Sequence, residues 1–149
     1  MVESLVDGAI RDTVIPKIGS ILYCDMAWGN AEHSGVYIGN DRIVHLNGDG
    51  KIEIVTPQGF LNDKWAVHIY VSCDGEYPVG SREVAARAER KVGGRRSYNL
   101  VLDNCHQFSS GCLTGNFENA DNFLWMLRMR AKDVLKANTW RVWEREYDS

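Results

Sequence analysis

The stretch "HSGVYIGNDRIVHL", residues 33–46, constrains the fold more than any other part of the chain. Its two halves, 33–39 and 42–46, are rich in β-branched and aromatic residues, which favour strands. Asn40 and Asp41 separate the halves, and both residue types tolerate the backbone of a tight two-residue turn. The pattern therefore predicts an antiparallel β-hairpin on which the rest of a sheet is built.

Further strands are predicted on both sides of this hairpin, over residues 19–26, 52–55 and 66–73. Helical periodicity takes over from Ser81 onward. Because the strands come first and the helices follow, we expect an α+β domain in which an antiparallel β-sheet packs against helices.

Three helices are predicted in the second half of the chain. Ser81 is expected to cap the first helix, and Gly93-Gly94 is expected to end it. The second helix begins within "DNCHQFSSGCL" and ends at Gly115, and the third covers residues 122–137. The expected apolar stripe of the first helix consists of Val84, Ala85, Ala88 and Val92.

Length and composition indicate an ordinary globular protein. A chain of 149 residues fits one domain, and a net charge of -3 gives no overall basic face, so no nucleic-acid partner is expected. The sequence has no apolar run of transmembrane length and no secretory signal pattern at its start, which leads us to expect a cytoplasmic location. Reduced cysteines are then expected at positions 24, 73, 105 and 112.

Cys105 is the strongest candidate for a reactive group. Asn104 fits the N-cap of the second helix and Gln107 the N3 position of a capping box, which places Cys105 at N1. The partial positive charge of a helix N-terminus favours the thiolate, and the N–H groups of that turn could hold an oxyanion. Cys112 lies seven residues further on, on the inward face with Phe108, and is expected to be a core residue.

A thiol nucleophile also needs a base, and the hairpin offers one. His33 and His45 lie on its two strands, close enough to be diagonal cross-strand neighbours. His68 and His106 are expected to be structural, since His106 follows Cys105 directly and points away from it. Two His and two Cys could also ligate zinc, but their spacing matches no compact zinc motif, so no metal or other cofactor is expected.

The combination of "EHSGVYIGNDRIVHL" with "YNLVLDNCHQF" some sixty residues later resembles the lecithin:retinol acyltransferase-like family of the permuted papain-like, NlpC-type superfamily. The resemblance covers residues 16–115 of a single domain spanning 1–149, with 116–149 expected as a helical C-terminal extension. It implies a permuted papain-like fold with Cys105 as the nucleophile at a helix N-terminus, His33 as its base and His45 as the group that orients His33.

The resemblance implies a thiol-dependent acyltransferase or hydrolase that forms an acyl-thioester from an ester or amide substrate, including lipids. Asn104 would support the oxyanion site. Tyr37 shares the strand face of His33, and it either polarises the substrate carbonyl or packs in the core.

Two other functions stay open on the sequence. The Cys105 segment also resembles that of PPPDE-type isopeptidases, which do not require a second His like His45. A catalytically inactive binding module is the other alternative. Trp140, Trp143 and the basic run "RMRAKDVLK" also suggest contact with a membrane surface, although they could equally cap the core and form a solvated face.

Overall fold

The computed structural model describes residues 12–25, 32–61, 68–96 and 104–145. The strands are Thr13–Val14 (β1), Ile21–Asp25 (β2), Glu32–Gly39 (β3), Arg42–Leu46 (β4), Ile52–Val55 (β5), Tyr70–Asp74 (β6), Tyr77–Pro78 (β7) and Thr139–Trp143 (β8). The helices are Pro57–Leu61 (α1), Arg82–Lys91 (α2), Cys105–Thr114 (α3) and Leu124–Leu135 (α4). This mixture confirms the expected α+β class.

The central hairpin forms as predicted. β3 and β4 pair antiparallel, with Val36 opposite Val44 and Tyr37 opposite Ile43. Asn40 (φ 53°) at the turn has a left-handed backbone, as does Asp41 beside it, which is the conformation that matches the twist of a two-residue hairpin.

The strands described form one sheet in the order β1-β8-β6-β2-β3-β4-β5, with β7 added beside β6. β8 pairs antiparallel with β6 and parallel with β1. The expected helical extension over 116–149 is therefore wrong in its last part, because "TWRVW" forms a strand between β6 and β1. Its β-branched and aromatic side chains suit that position, and Trp143 is buried there.

Two apolar clusters lie on the two faces of the sheet. One joins Val36 and Val44 to the helices through residues such as Phe108 and Leu127. The other lies on the opposite face and includes Ile43 and the α1 ring of Phe60. The sheet is thus covered on both sides, which fixes the orientation of the polar residues on β3 and β4.

The predicted ends at Ser81 and Gly115 are confirmed, whereas α4 covers Leu124–Leu135 and is shorter than the predicted 122–137. Ser81 caps α2, and its side chain accepts a hydrogen bond from the Glu83 N–H at 3.2 Å. α3 ends at Gly115, which has a left-handed backbone. Val92 does not join the buried stripe of α2, because the helix ends at Lys91 and Val92 follows it with an extended backbone, 37% exposed.

Parts of three predictions lie outside the described residues, namely the end of the 19–26 strand, the start of the 66–73 strand and the "YNLVLD" segment before Asn104. In the ranges that are described, no helix has both the length and the apolar character needed to cross a bilayer.

Candidate active site

Helix α3 begins with the cap that the sequence predicts. The side-chain oxygen of Asn104 accepts hydrogen bonds from the N–H groups of His106 and Gln107, both at 3.0 Å. Its side-chain nitrogen donates to the carbonyl of Asn122 at 2.9 Å. Asn104 therefore ties the N-terminus of α3 to the segment before α4, and Cys105 occupies the first helical position.

The capping box expected with Gln107 does not form. The Gln107 side-chain nitrogen donates instead to the carbonyl of Asn119 at 2.6 Å, and Asn119 donates back to the Gln107 carbonyl at 3.1 Å. The Gln107 side-chain oxygen is buried and has no hydrogen-bond partner among the residues that the structure describes. The loop after α3 folds back on the helix and draws this side chain away from the cap, an interaction between distant residues that local spacing does not reveal.

Cys105 is buried against strand β3. Its Sγ lies 3.9 Å from the carbonyl oxygen of Glu32, and Ser34 lies near enough to lower the pKa of the thiol. Glu32 and Ser34 flank His33 along the strand, so the sulfur lies against the backbone next to His33, whereas the His33 ring itself contacts His45 and Phe60.

The environment of Cys105 does not favour a resting thiolate. Burial raises the pKa of the Cys105 thiol above its ordinary value, and the hydrogen bonds from Ser34 and from the first-turn N–H groups offset this only in part. The expectation that this pKa lies below its ordinary value is therefore wrong, because desolvation outweighs the hydrogen bonds that lower it. A neutral thiol needs a base that removes its proton as it attacks.

His33 and His45 meet across the hairpin as predicted. Continuing the pairing of Val36 with Val44 makes the two His diagonal neighbours, and His33 Nε2 lies 2.6 Å from His45 Nδ1. Both side chains are buried. The diagonal placement of the two residues thus allows their side chains to form a hydrogen bond.

Glu53 extends this pair into a chain of three groups, and the sequence analysis missed it. It lies on β5 directly opposite His45, and its Oε2 is 2.9 Å from His45 Nε2. The hydrogen bond from His45 lowers the pKa of Glu53, which keeps the carboxylate ionised. The predicted strands 42–46 and 52–55 indicated that β5 could lie next to His45. Only the register between β4 and β5 shows that Glu53 is the residue opposite His45.

The carboxylate determines where the protons of a neutral pair lie. An ionised carboxylate only accepts, so Nε2 of His45 carries the proton and its Nδ1 is the acceptor. His33 must then donate through Nε2, which leaves its Nδ1 without a proton. Glu53 and His45 together prepare His33 to accept a proton at Nδ1.

An aromatic ring supports both histidines from one side. The ring of Phe60, on α1, lies 4.7 Å from the His33 ring and 5.8 Å from the His45 ring, measured between centroids. Gly35 makes room for it, since a Cβ there would lie 3.0 Å from the Phe60 ring and 2.9 Å from the Val44 carbonyl oxygen. The glycine of the "HSGVY" motif therefore allows the close packing that orients the pair.

The remaining candidate side chains have structural contacts. Tyr37 packs its ring against Trp143, with centroids 5.2 Å apart, and its hydroxyl accepts from the Asp41 N–H at the turn. These are the contacts of a core residue at the far end of the strand from His33. Cys112 is fully buried in the helix-side cluster, and burial raises the pKa of its thiol, as expected of an inert core residue.

His106 belongs to a separate polar cluster. Its Nδ1 lies 2.9 Å from the hydroxyl of Ser34, which in turn lies 2.9 Å from the hydroxyl of Ser109. Burial lowers the pKa of His106 to about 4. His106 is therefore neutral at physiological pH and bonded to hydroxyl groups, which agrees with the structural role expected of it.

Comparison with known proteins places this arrangement in a family. The family model described as lecithin retinol acyltransferase matches residues 15–118, which include the hairpin and the start of α3. No curated protein sequence matches the chain. The match covers more than half of the chain and contains both histidines and Cys105.

Proposed function

The chain belongs to the lecithin retinol acyltransferase family, and from this premise we propose that it is a thiol-dependent acyltransferase or hydrolase with a permuted papain-like site. Cys105 is the nucleophile, His33 its base and His45 the group that orients His33. The substrate is an ester or amide whose acyl group passes through a thioester on Cys105.

One observation carries this proposal. A continuous hydrogen-bonded chain runs from Glu53 through His45 to His33, and Cys105 is held against the backbone on both sides of His33. A base oriented by a second group beside a nucleophile is the arrangement that acyl transfer requires.

The first chemical step forms the thioester. The Cys105 sulfur attacks the carbonyl carbon of the substrate while its proton passes to Nδ1 of His33. The positive charge that develops on His33 is stabilised through His45 by the Glu53 carboxylate. The tetrahedral intermediate then collapses, the bond from carbon to the leaving oxygen or nitrogen breaks, and the leaving group takes the proton from His33.

The second step returns the enzyme to its resting state. Water, an amine or an alcohol loses a proton to His33 and attacks the thioester carbon. The carbon–sulfur bond breaks, and the Cys105 sulfur recovers the proton. The acceptor decides whether the reaction is hydrolysis or transfer.

The N–H group of Cys105 itself is the proposed oxyanion donor. Asn104 already occupies the N–H groups of His106 and Gln107, and the Phe108 N–H donates to the Asn104 carbonyl within the helix. Because the N–H at the first helical position has no partner within the helix, it is the one that faces developing charge on a carbonyl bound at the sulfur. Asn104 supports this donor by fixing the first turn.

Turnover of a panel of defined substrates tests the proposal. Purified protein is incubated with a short-chain phosphatidylcholine, an acyl-thioester and a ubiquitin isopeptide conjugate, and products are measured by mass spectrometry. We expect acyl release from the lipid or the thioester, and no release by Cys105→Ala. Cys112→Ala serves as the matched control, because it removes a thiol from the same helix away from His33.

The same panel separates the alternatives. Cleavage of the isopeptide conjugate alone would replace the proposal with a peptidase. Equal turnover by Cys105→Ala and the unaltered protein would exclude Cys105 as the nucleophile. A folded protein that turns over none of the three substrates and forms no adduct would favour a binding module.

A further inference from the structure

Helix α4 presents apolar side chains to solvent on one side. Its opposite side is buried through Leu127, Ala131 and Leu135, which anchor it to the helix-side cluster. Trp125 and Met129, one helical turn apart, are each 59% exposed. Large apolar side chains exposed as neighbours indicate a surface that binds something.

Basic side chains surround these apolar groups. Arg128 and Lys132 line a groove of about 310 Å³ together with Trp125 and Met129, and Lys136 follows at the end of the helix. One acidic residue, Asp133, lies beside Lys132 and Lys136, 3.5 Å from Arg130, which also binds Asp121. We name this surface the α4 face, which consists of Trp125, Arg128, Met129, Lys132 and Lys136.

The charge of the α4 face is opposite to that of the chain as a whole. Three cations are gathered on one side of one helix in a protein with a net charge of -3. Long basic side chains can keep their charges among anionic groups while a Trp and a Met enter the apolar layer beneath. An anionic bilayer surface offers both of these environments at once.

The α4 face also begins next to the candidate active site. Phe123, 60% exposed, precedes α4, and its neighbour Asn122 accepts the hydrogen bond from Asn104, the residue before Cys105. The two tryptophans that suggested a membrane role in the sequence have different places. Trp143 is buried against Tyr37. Trp140 lines the groove beside Trp125 and Met129, and its ring lies 5.7 Å from the Arg128 guanidinium.

We propose that the α4 face docks the protein on the surface of an anionic lipid bilayer, with Trp125 and Met129 inserted and the basic side chains at the phosphate level. This inference concerns a surface outside the catalytic groups. It adds a partner to the proposed function and does not depend on turnover.

Vesicle co-sedimentation tests the proposal with the whole chain. Vesicles of phosphatidylcholine mixed with phosphatidylglycerol should sediment the protein, vesicles of phosphatidylcholine alone should not, and added salt should weaken binding. Trp125→Glu together with Met129→Glu should lower binding more than tenfold. Each of Lys132→Gln and Lys136→Gln should lower it about fivefold.

Two controls keep the result specific. Val134 is exposed on the other side of α4, so Val134→Glu should bind like the unaltered protein. Cys105→Ala should also bind normally, which separates docking from catalysis. Circular dichroism of each variant establishes that it is folded.

Three outcomes would overturn the proposal. They are equal binding to neutral and anionic vesicles, equal losses for Val134→Glu and the double variant, and no sedimentation of the unaltered protein at low salt. If the unaltered protein instead forms a dimer that Trp125→Glu dissociates, the occupant of the α4 face is a second copy of the chain.

Discussion

Two buried histidines meet at strand β3, His33 on the strand itself and His106 on helix α3, and they differ in the groups to which they are hydrogen-bonded. His33 is bonded to His45 and through it to the Glu53 carboxylate, which is 41% exposed. His106 is bonded through Ser34 to Ser109, a chain of neutral hydroxyl groups. The first chain can stabilise a positive charge on its histidine and the second cannot.

This difference explains why only one histidine suits proton transfer. A base must become an imidazolium during the reaction, and within the protein this requires a nearby negative charge. Burial without such a charge keeps His106 neutral, with a pKa of about 4. Burial alone therefore does not distinguish a catalytic histidine from a structural one. The charge of the group at the end of its hydrogen-bonded chain does distinguish them.

The largest expected effect separates the two histidines by activity. His33→Ala should lower kcat/KM about a thousandfold, because a general base contributes roughly that factor. His106→Gln should change it less than tenfold, since Gln can still bond to the Ser34 hydroxyl. Steady-state kinetics with an activated ester, alongside circular dichroism, measures both. Comparable losses in two folded variants would contradict the distinction.

The second expected effect is a pH dependence of the folded protein's stability that arises from His106. His106 resists protonation in the folded protein, whereas in the unfolded chain it titrates near its ordinary value of 6.5. The unfolded state therefore takes up a proton first, and stability present above pH 6.5 is lost as the pH falls toward 4. The loss from this group is about 3 kcal/mol.

Urea unfolding at a series of pH values checks this expectation. His106→Gln should flatten the decline between pH 6.5 and 4. NMR titration of His106 in the unaltered protein gives an independent value if the variant is too unstable. A His106 pKa near 6.5 would refute the account of its environment.

A smaller effect is expected when the Glu53 carboxylate, which is hydrogen-bonded to His45, is replaced. Glu53→Gln keeps an acceptor for His45 Nε2 but removes the negative charge, so we expect kcat to fall about tenfold with little change in KM. Glu53→Ala removes the acceptor as well and should cost more. The carboxylate's partial exposure limits both effects, because water can replace part of its charge stabilisation.

The pH profile distinguishes orientation from a purely structural role. If Glu53 supports a positive charge on His33, the acidic limb of kcat against pH should move to lower pH in Glu53→Gln, because the neutral His33 base is then harder to protonate. A profile that keeps its position while kcat falls would indicate that Glu53 only holds the strand.

The sequence pattern was sufficient to predict features that depend on residues close together in the chain. The turn at Asn40 and Asp41, the cap at Asn104 and the diagonal pair of histidines all depend on residues close in sequence or on one hairpin register. The strand at Thr139–Trp143 was missed because its partners are β6 and β1, far away in the chain.

The same reasoning explains the errors at the site. Glu53 could be selected only once the register of β4 with β5 was known, and Gln107 was drawn away by a loop that no spacing rule places beside it. The direction of the Cys105 pKa was wrong because the helix terminus is visible in the sequence but burial is not. Long-range packing decided each of these points.

Mass spectrometry of the intact protein after rapid mixing with p-nitrophenyl octanoate tests whether Cys105 is the nucleophile and His33 its base. We expect one octanoyl adduct that maps to Cys105, is absent in Cys105→Ala, persists in Cys112→Ala and forms far more slowly in His33→Ala. An octanoyl group on another residue in the unaltered protein, or adduct formation at an unchanged rate in His33→Ala, would contradict this assignment.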